Sequence, residues 1–212
     1  LAVIRNGVGV LGVDPKTGLA LWSVEADGID SSVAMAIGAR GRLYFTEDQK
    51  LWALGPSGCD AKGCELAWSV DIGARLGTEL LLGADDTVYV IAGGKARAVK
   101  EGAVLWSWGF GERPVQRLAL ATGDRLYAAP ADGTVFRLNA RTGRAEWHAR
   151  YADGGVPDWM HLGEPGVLYL GAKGLLMMAP TGLADEIPDT PWPKRARDGR
   201  NSSSACAACG GG

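Results

Sequence analysis

Two histidines, four cysteines and a few acidic loops are the residues of this 212-residue chain whose types and spacing could do chemistry. His148 and His161 stand apart, and neither has a second His or Cys at metal-ligand spacing. A Ser-His-Asp set would need its nucleophile on a sharp turn, and the chain contains no Gly-x-Ser-x-Gly elbow. Asp27-Gly28-Ile29-Asp30 and Asp85-Asp86 could hold calcium weakly, but Asp side chains that bond their own backbone in turns explain them better. Gly7-Val8-Gly9 and Gly93-Gly94 read as hairpin turns rather than phosphate loops, because no helical pattern follows them. The cysteines form two close pairs. Cys59 and Cys64 sit in a Gly-rich insertion, where a small loop disulfide is the favoured reading and two surface thiols the alternative; Cys206 and Cys209 lie in the tail. The residues therefore assign no catalytic, cofactor-binding or metal site.

The elements that would position such residues are short strands. Gly is abundant, at 32 residues, and Trp is high, at 8, which suits tight turns between strands with aromatic plugs between layers. A net charge of -2 attracts neither phosphate backbones nor anionic lipid, so nucleic acid is not an expected partner. Three groups of residues recur in fixed order. Arg42-Leu43-Tyr44, Thr87-Val88-Tyr89, Arg125-Leu126-Tyr127 and Val167-Leu168-Tyr169 place tyrosines 45, 38 and 42 residues apart. Each is followed by an alternating apolar strand, such as Val135-Phe136-Arg137-Leu138, and strands bearing Trp22, Trp68, Trp106 and Trp147 complete the unit. A period near 40 residues with about four strands is what a propeller blade needs, and Gly or Asp-Gly breaks too often for paired helices. In Asp14-Pro15-Lys16-Thr17-Gly18 and Asn139-Ala140-Arg141-Thr142-Gly143, Trp follows the Gly by four residues; Gly102 and Trp106 keep that spacing with a shorter turn.

The pattern Leu-x-Ala-Leu-Asp-x-x-Thr-Gly-x-x-x-Trp resembles the pyrroloquinoline-quinone-like propeller repeat, in its non-catalytic branch with the propeller lipoproteins of outer-membrane barrel assembly. The resemblance covers residues 1–182 and implies an all-β propeller of about five four-stranded antiparallel blades. These are expected near 1–26, 31–72, 78–110, 115–151 and 158–182, the first and last incomplete. The arc is expected to be the C-terminal part of a ring of seven or eight blades, with closure as five the alternative. The resemblance implies that Trp22, Trp68, Trp106 and Trp147 dock between blades, near Gly18, Gly102 and Gly143. Trp52, Trp108 and Trp159 break the repeat and are expected at the surface or the channel. Residues 183–212 read as a tail, Pro-rich with Trp192 on a propeller face, then Ser/Ala/Cys/Gly-rich and disordered.

Family members that oxidise alcohols carry an adjacent cysteine pair over a quinone, and this chain has no Cys-Cys. The expectation is therefore a scaffold or sensor domain without catalysis or cofactor. It would bind a protein or peptide through blade loops in an extracytoplasmic compartment, and meet membrane only through an upstream anchor. A quinone-dependent dehydrogenase fragment, or a small ligand in the central channel, is the alternative.

Overall fold

The computed structural model describes residues 2–5, 9–14, 16–25, 34–38, 41–60, 63–151, 155–172 and 175–183. The readings at Gly7-Val8, at Asp27–Asp30 and throughout the tail beyond Leu183, including Trp192, Cys206 and Cys209, lie outside these residues.

The described chain is all-β and forms five antiparallel sheets. The first contains β1 (Ala2–Arg5), β2 (Gly9–Val13) and β3 (Ala20–Glu25). The second contains β4 (Met35–Ile37), β5 (Leu43–Glu47), β6 (Lys50–Asp60) and β7 (Gly63–Asp71). The third runs through β8 (Leu76–Leu82), β9 (Val88–Ala92), β10 (Lys95–Lys100) and β11 (Ala103–Trp108). The fourth has β12 (Val115–Ala121), β13 (Arg125–Pro130), β14 (Thr134–Asn139) and β15 (Ala145–Arg150). The fifth has β16 (Trp159–Leu162), β17 (Val167–Ala172) and β18 (Leu175–Pro180). Within each sheet, strands follow one another in chain order, so every sheet is a meander and a blade.

The blades stack because each strand alternates apolar residues to both faces. One face of blade two offers Tyr44, Leu51 and Ala53 to Leu80, Leu82, Val88 and Val90 of blade three. Blade three offers Tyr89, Ala96 and Ala98 to Leu118, Leu126, Phe136 and Leu138 of blade four. Blade four offers Ala119, Tyr127 and Val135 to Met160, Leu162, Leu168 and Leu170 of blade five. The repeating tyrosine thus lies on the face turned to the following blade. Tyr44 and Tyr127 are fully buried there, each stabilising the stack by roughly 2–3 kcal/mol of apolar transfer.

Turn chemistry sets the hairpins. Asp14 accepts from Lys16 N at 2.9 Å and from the Thr17 hydroxyl at 3.0 Å, while Gly18 N donates to Asp14 O at 2.8 Å with φ at 71°. The Lys16 N–H, followed by the Thr17 hydroxyl, holds the Asp14 carboxyl below its ordinary range. Asn139 repeats the device, accepting from Arg141 N and Thr142 N at 3.1 Å each, with Gly143 at φ 69°. Blade three closes with Glu101 and Gly102 alone, both at positive φ, as a two-residue hairpin requires.

Two elements differ from the sequence reading. The cysteine insertion is a β-ribbon: β6 and β7 run on until Cys59 faces Cys64 and Asp60 faces Gly63. The ladder resumes beyond an irregularity after Leu54, so the inserted residues extend the hairpin instead of forming a loop. Trp108 is half-buried between blades, 5.0 Å from the Phe136 ring, because β11 continues far enough to bring it over the next sheet.

Candidate functional site

Two of the recurring tryptophans, Trp68 and Trp106, meet turns of the next blade. The Trp106 indole donates from Nε1 to Ala140 O at 2.9 Å and lies over Gly143, where a Cβ would stand 2.6 Å from the ring. Trp68 lies beside Gly102 of blade three, with a Cβ position 3.6 Å from its own Cβ. Among the described residues its buried Nε1 has no acceptor. Trp22 is 6% exposed and lies across Gly12 of its own sheet, with β6 and β7 of blade two against its strand. Trp147 is half-buried with the Arg137 guanidinium 5.8 Å over its ring; no described residue lies within 4 Å of the Cβ position at Gly182, the next blade's turn glycine. Nor does any described residue lie that close to the Cβ position at Gly18.

The sequence reading missed what aims these rings. The residue just before each Trp is skipped in the pairing register: Leu21, Ala67, Leu105 and Glu146 have no Cα partner while their neighbours do. An extra residue of this kind is a β-bulge, which bends the outer strand and turns the following side chain.

Beside Tyr44 and Tyr89 the blades form a polar slot, on the side where the first and second strands of each blade connect. Between blades two and three, Arg42 crosses the gap and its Nη1 donates to Glu101 Oε1 at 2.8 Å, with only 18% of the arginine side chain exposed. Burial opposes the charge on Arg42, but Glu101 and Tyr44 more than compensate and raise its pKa. Burial, and after it Asp86, pushes the Tyr44 phenol up to about 12.

Between blades three and four the same slot stands open as a cleft of about 660 Å³. The correspondence is fixed by backbone: Gly38 N donates to Arg42 O at 2.8 Å, and Gly83 N donates to Thr87 O at 2.9 Å. Thr87 therefore holds the position of Arg42, and its side chain is too short to reach blade four. Tyr89 and Ala140 line the cleft, with Leu105 and Leu120. Its charged groups pair within their own blades, Lys100 with Asp85 at 2.6 Å and Arg141 with Asp124 at 2.9 Å. Burial opposes ionisation of Asp85, yet Lys100 and Thr87 hold its carboxyl below the usual range. Burial, then the Asp85 and Asp124 carboxylates, raises the Tyr89 phenol.

The inner strands are not wholly apolar. Buried Glu79 lies 3.8 Å from Arg117 of the next blade, and Arg117 Nε donates to Asp158 O at 2.7 Å. His161 stacks on half-exposed Trp159 at 5.7 Å, and His148 on Phe136 at 5.5 Å. Among the described residues, no three His, Cys, Asp or Glu groups gather as metal ligands. The Cys59 and Cys64 side chains lie outside the described ones.

A family model described as outer membrane protein assembly factor BamB matches residues 7–178. The serine/threonine-protein kinase AfsK of Streptomyces griseus is 33% identical over 162 residues, 69% of this chain but 19% of that protein. Among solved structures, BamB from Moraxella catarrhalis superposes with a TM-score of 0.57 at 19% identity, over 86% of this chain and 58% of that one. The computationally designed Ika8 protein gives 0.64 at 17% identity, over 81% and 52%. BBS1N, solved in complex with ARL6DN, gives 0.63 at 12% identity, over 84% and 60%. These likenesses establish the propeller fold, and the chain spans little more than half of each matched structure.

Proposed function

Because this chain belongs to the pyrroloquinoline-quinone-like repeat family whose model is described as outer membrane protein assembly factor BamB, we propose that it is a non-catalytic scaffold that binds a protein partner through one face of its blades. The observation that carries the reading is the contrast between rigid and open parts. Apolar cores join blades two to five, while the connection side between blades three and four keeps an unfilled cleft rimmed by charged side chains. A fixed framework with a recessed, mixed-charge mouth suits recognition of a protein surface. The solved BBS1N propeller, determined with a bound protein, supports the general role. The match to AfsK favours one refinement, a sensor module of a longer signalling protein.

The reading places the chain outside the cytoplasm, as the family description suggests, and pairs Cys59 with Cys64, whose backbones face each other. Peptide mapping without reductant would show that cross-link; free alkylation of both thiols in protein taken from its own compartment would contradict it. The function itself is tested by photo-crosslinking from position 141, in the cleft wall, and from position 132, at the opposite connections. One partner captured reproducibly from 141 alone, then purified and shown to bind, is the expected result. Equal capture from both positions, or none, would overturn the proposal.

A further inference from the structure

We propose that the cleft between blades three and four receives the guanidinium of an arginine side chain presented by a partner protein. The proposal rests on the scaffold reading and names the chemistry that the cleft selects.

The molecule displays the occupant at the neighbouring interface. Arg42 fills the slot beside Tyr44 and bonds Glu101 across the gap. The residue two before the tyrosine is Arg42 in blade two and Arg125 in blade four, but Thr87 in blade three. Thr87 supplies no cation to the slot beside Tyr89, and the space is open to solvent. Two acidic side chains remain there. Asp124 corresponds to Asp86: each lies three residues before its tyrosine, and each holds a positive φ, 57° and 62°. Asp85 adds a second carboxylate. Leu105, the bulge residue, and Leu120 supply apolar walls that a guanidinium tolerates better than an ammonium does.

The cleft also holds two cations, and they set the strongest condition on the idea. Lys100 is bonded to Asp85, and Arg141, 76% exposed in its side chain, is bonded to Asp124. An incoming guanidinium displaces the exposed Arg141 from Asp124 and takes its place. Removing Arg141 must therefore strengthen binding of a cation, whereas a cleft built for an anion would lose affinity. The sign of that one effect separates the two chemistries.

The experiment titrates N-acetyl-L-arginine amide into the isotope-labelled 212-residue chain and follows the amides of Gly83, Gly123 and Ala140 by NMR. Saturable shifts with a roughly millimolar midpoint are expected for so small a ligand. R141A should lower the midpoint about threefold and D124N should raise it about threefold, the range of an exposed ion pair. T87R should abolish the shifts by filling the slot from within. The same titration with N-acetyl-L-glutamate amide should leave these amides unmoved. Stronger binding of the glutamate probe, a weaker arginine complex in R141A, or absence of saturable shifts with arginine would overturn the proposal. R141A and D124N change exposed or half-exposed groups, so the result does not depend on T87R folding. Failure here with continued partner capture from position 141 would remove arginine recognition alone; arginine binding without a captured partner would remove the scaffold reading instead.

Discussion

The interface between blades two and three and the interface between blades three and four share one backbone pairing and differ in the side chains that meet at the rim. Both pair a glycine N–H with the carbonyl two residues before a buried tyrosine. At the first, that residue is Arg42, which spans the gap to Glu101 at 2.8 Å. At the second it is Thr87, and a cleft of about 660 Å³ remains. In both seams apolar residues stack the blades, while at the rim the first is bridged by an ion pair and the second is not.

The largest effect expected from this comparison concerns the turns that receive the tryptophans. Gly143 and Gly18 occupy the same turn with φ of 69° and 71°, but only Gly143 has an indole against it. G18A should cost about 1 kcal/mol for its left-handed backbone alone. G143A should cost about 3 kcal/mol, because the added methyl also displaces Trp106. Urea denaturation of both variants checks this, and equal losses would show that the Trp106 contact carries no weight.

A smaller effect separates the two indoles. Trp106 Nε1 has an acceptor and Trp68 Nε1 has none. W106F should therefore be more destabilising than W68F by about 1 kcal/mol, one net hydrogen bond. Thermal unfolding of the pair measures the difference, and equal melting temperatures would remove the bond from the account.

The smallest effect lies in acid. The Asp85 carboxyl is held below its ordinary value of 3.8 by Lys100 and Thr87, against burial. A depressed carboxyl stabilises the fold above the unfolded value and loses that contribution as pH falls through the folded one. Stability of D85N relative to the parent should thus be lower at neutral pH and converge with it once the pH falls low enough to protonate Asp85 in the fold, a trend read from denaturation at several pH values. A constant difference down to that pH would contradict the pairing.

Much of the framework was legible in the residues. Tyr44, Tyr89, Tyr127 and Tyr169 recur at one blade per period, and each falls on the second strand of a sheet. The turn at Asp14 and its copy at Asn139 could be read because an Asx side chain, a Thr and a Gly each do local work within five residues. The bulges at Leu21, Ala67, Leu105 and Glu146 were not legible, since alternation alone does not reveal a skipped partner. Nor was the cleft. Arg42 and Thr87 were visible as members of a series, but Arg42 finds its partner 59 residues away, on a turn of another sheet. Sequence spacing carries no information about which side chains meet across a seam. Trp108 was misplaced at the surface or channel for the same reason: the Phe136 it packs on belongs to the next blade.

The claim that the two seams share one slot, bridged across at one and unbridged at the other, is tested most directly by rebuilding the first at the second. A double-mutant cycle of T87R with R141E would set an arginine at the position of Arg42 and a carboxylate on the facing turn of blade four, as Glu101 stands on the facing turn of blade three. Urea denaturation should give a favourable coupling between the two substitutions of about 0.5–1 kcal/mol, like that of a cycle on Arg42 and Glu101 themselves. Strict additivity at positions 87 and 141, alongside clear coupling at 42 and 101, would contradict the account.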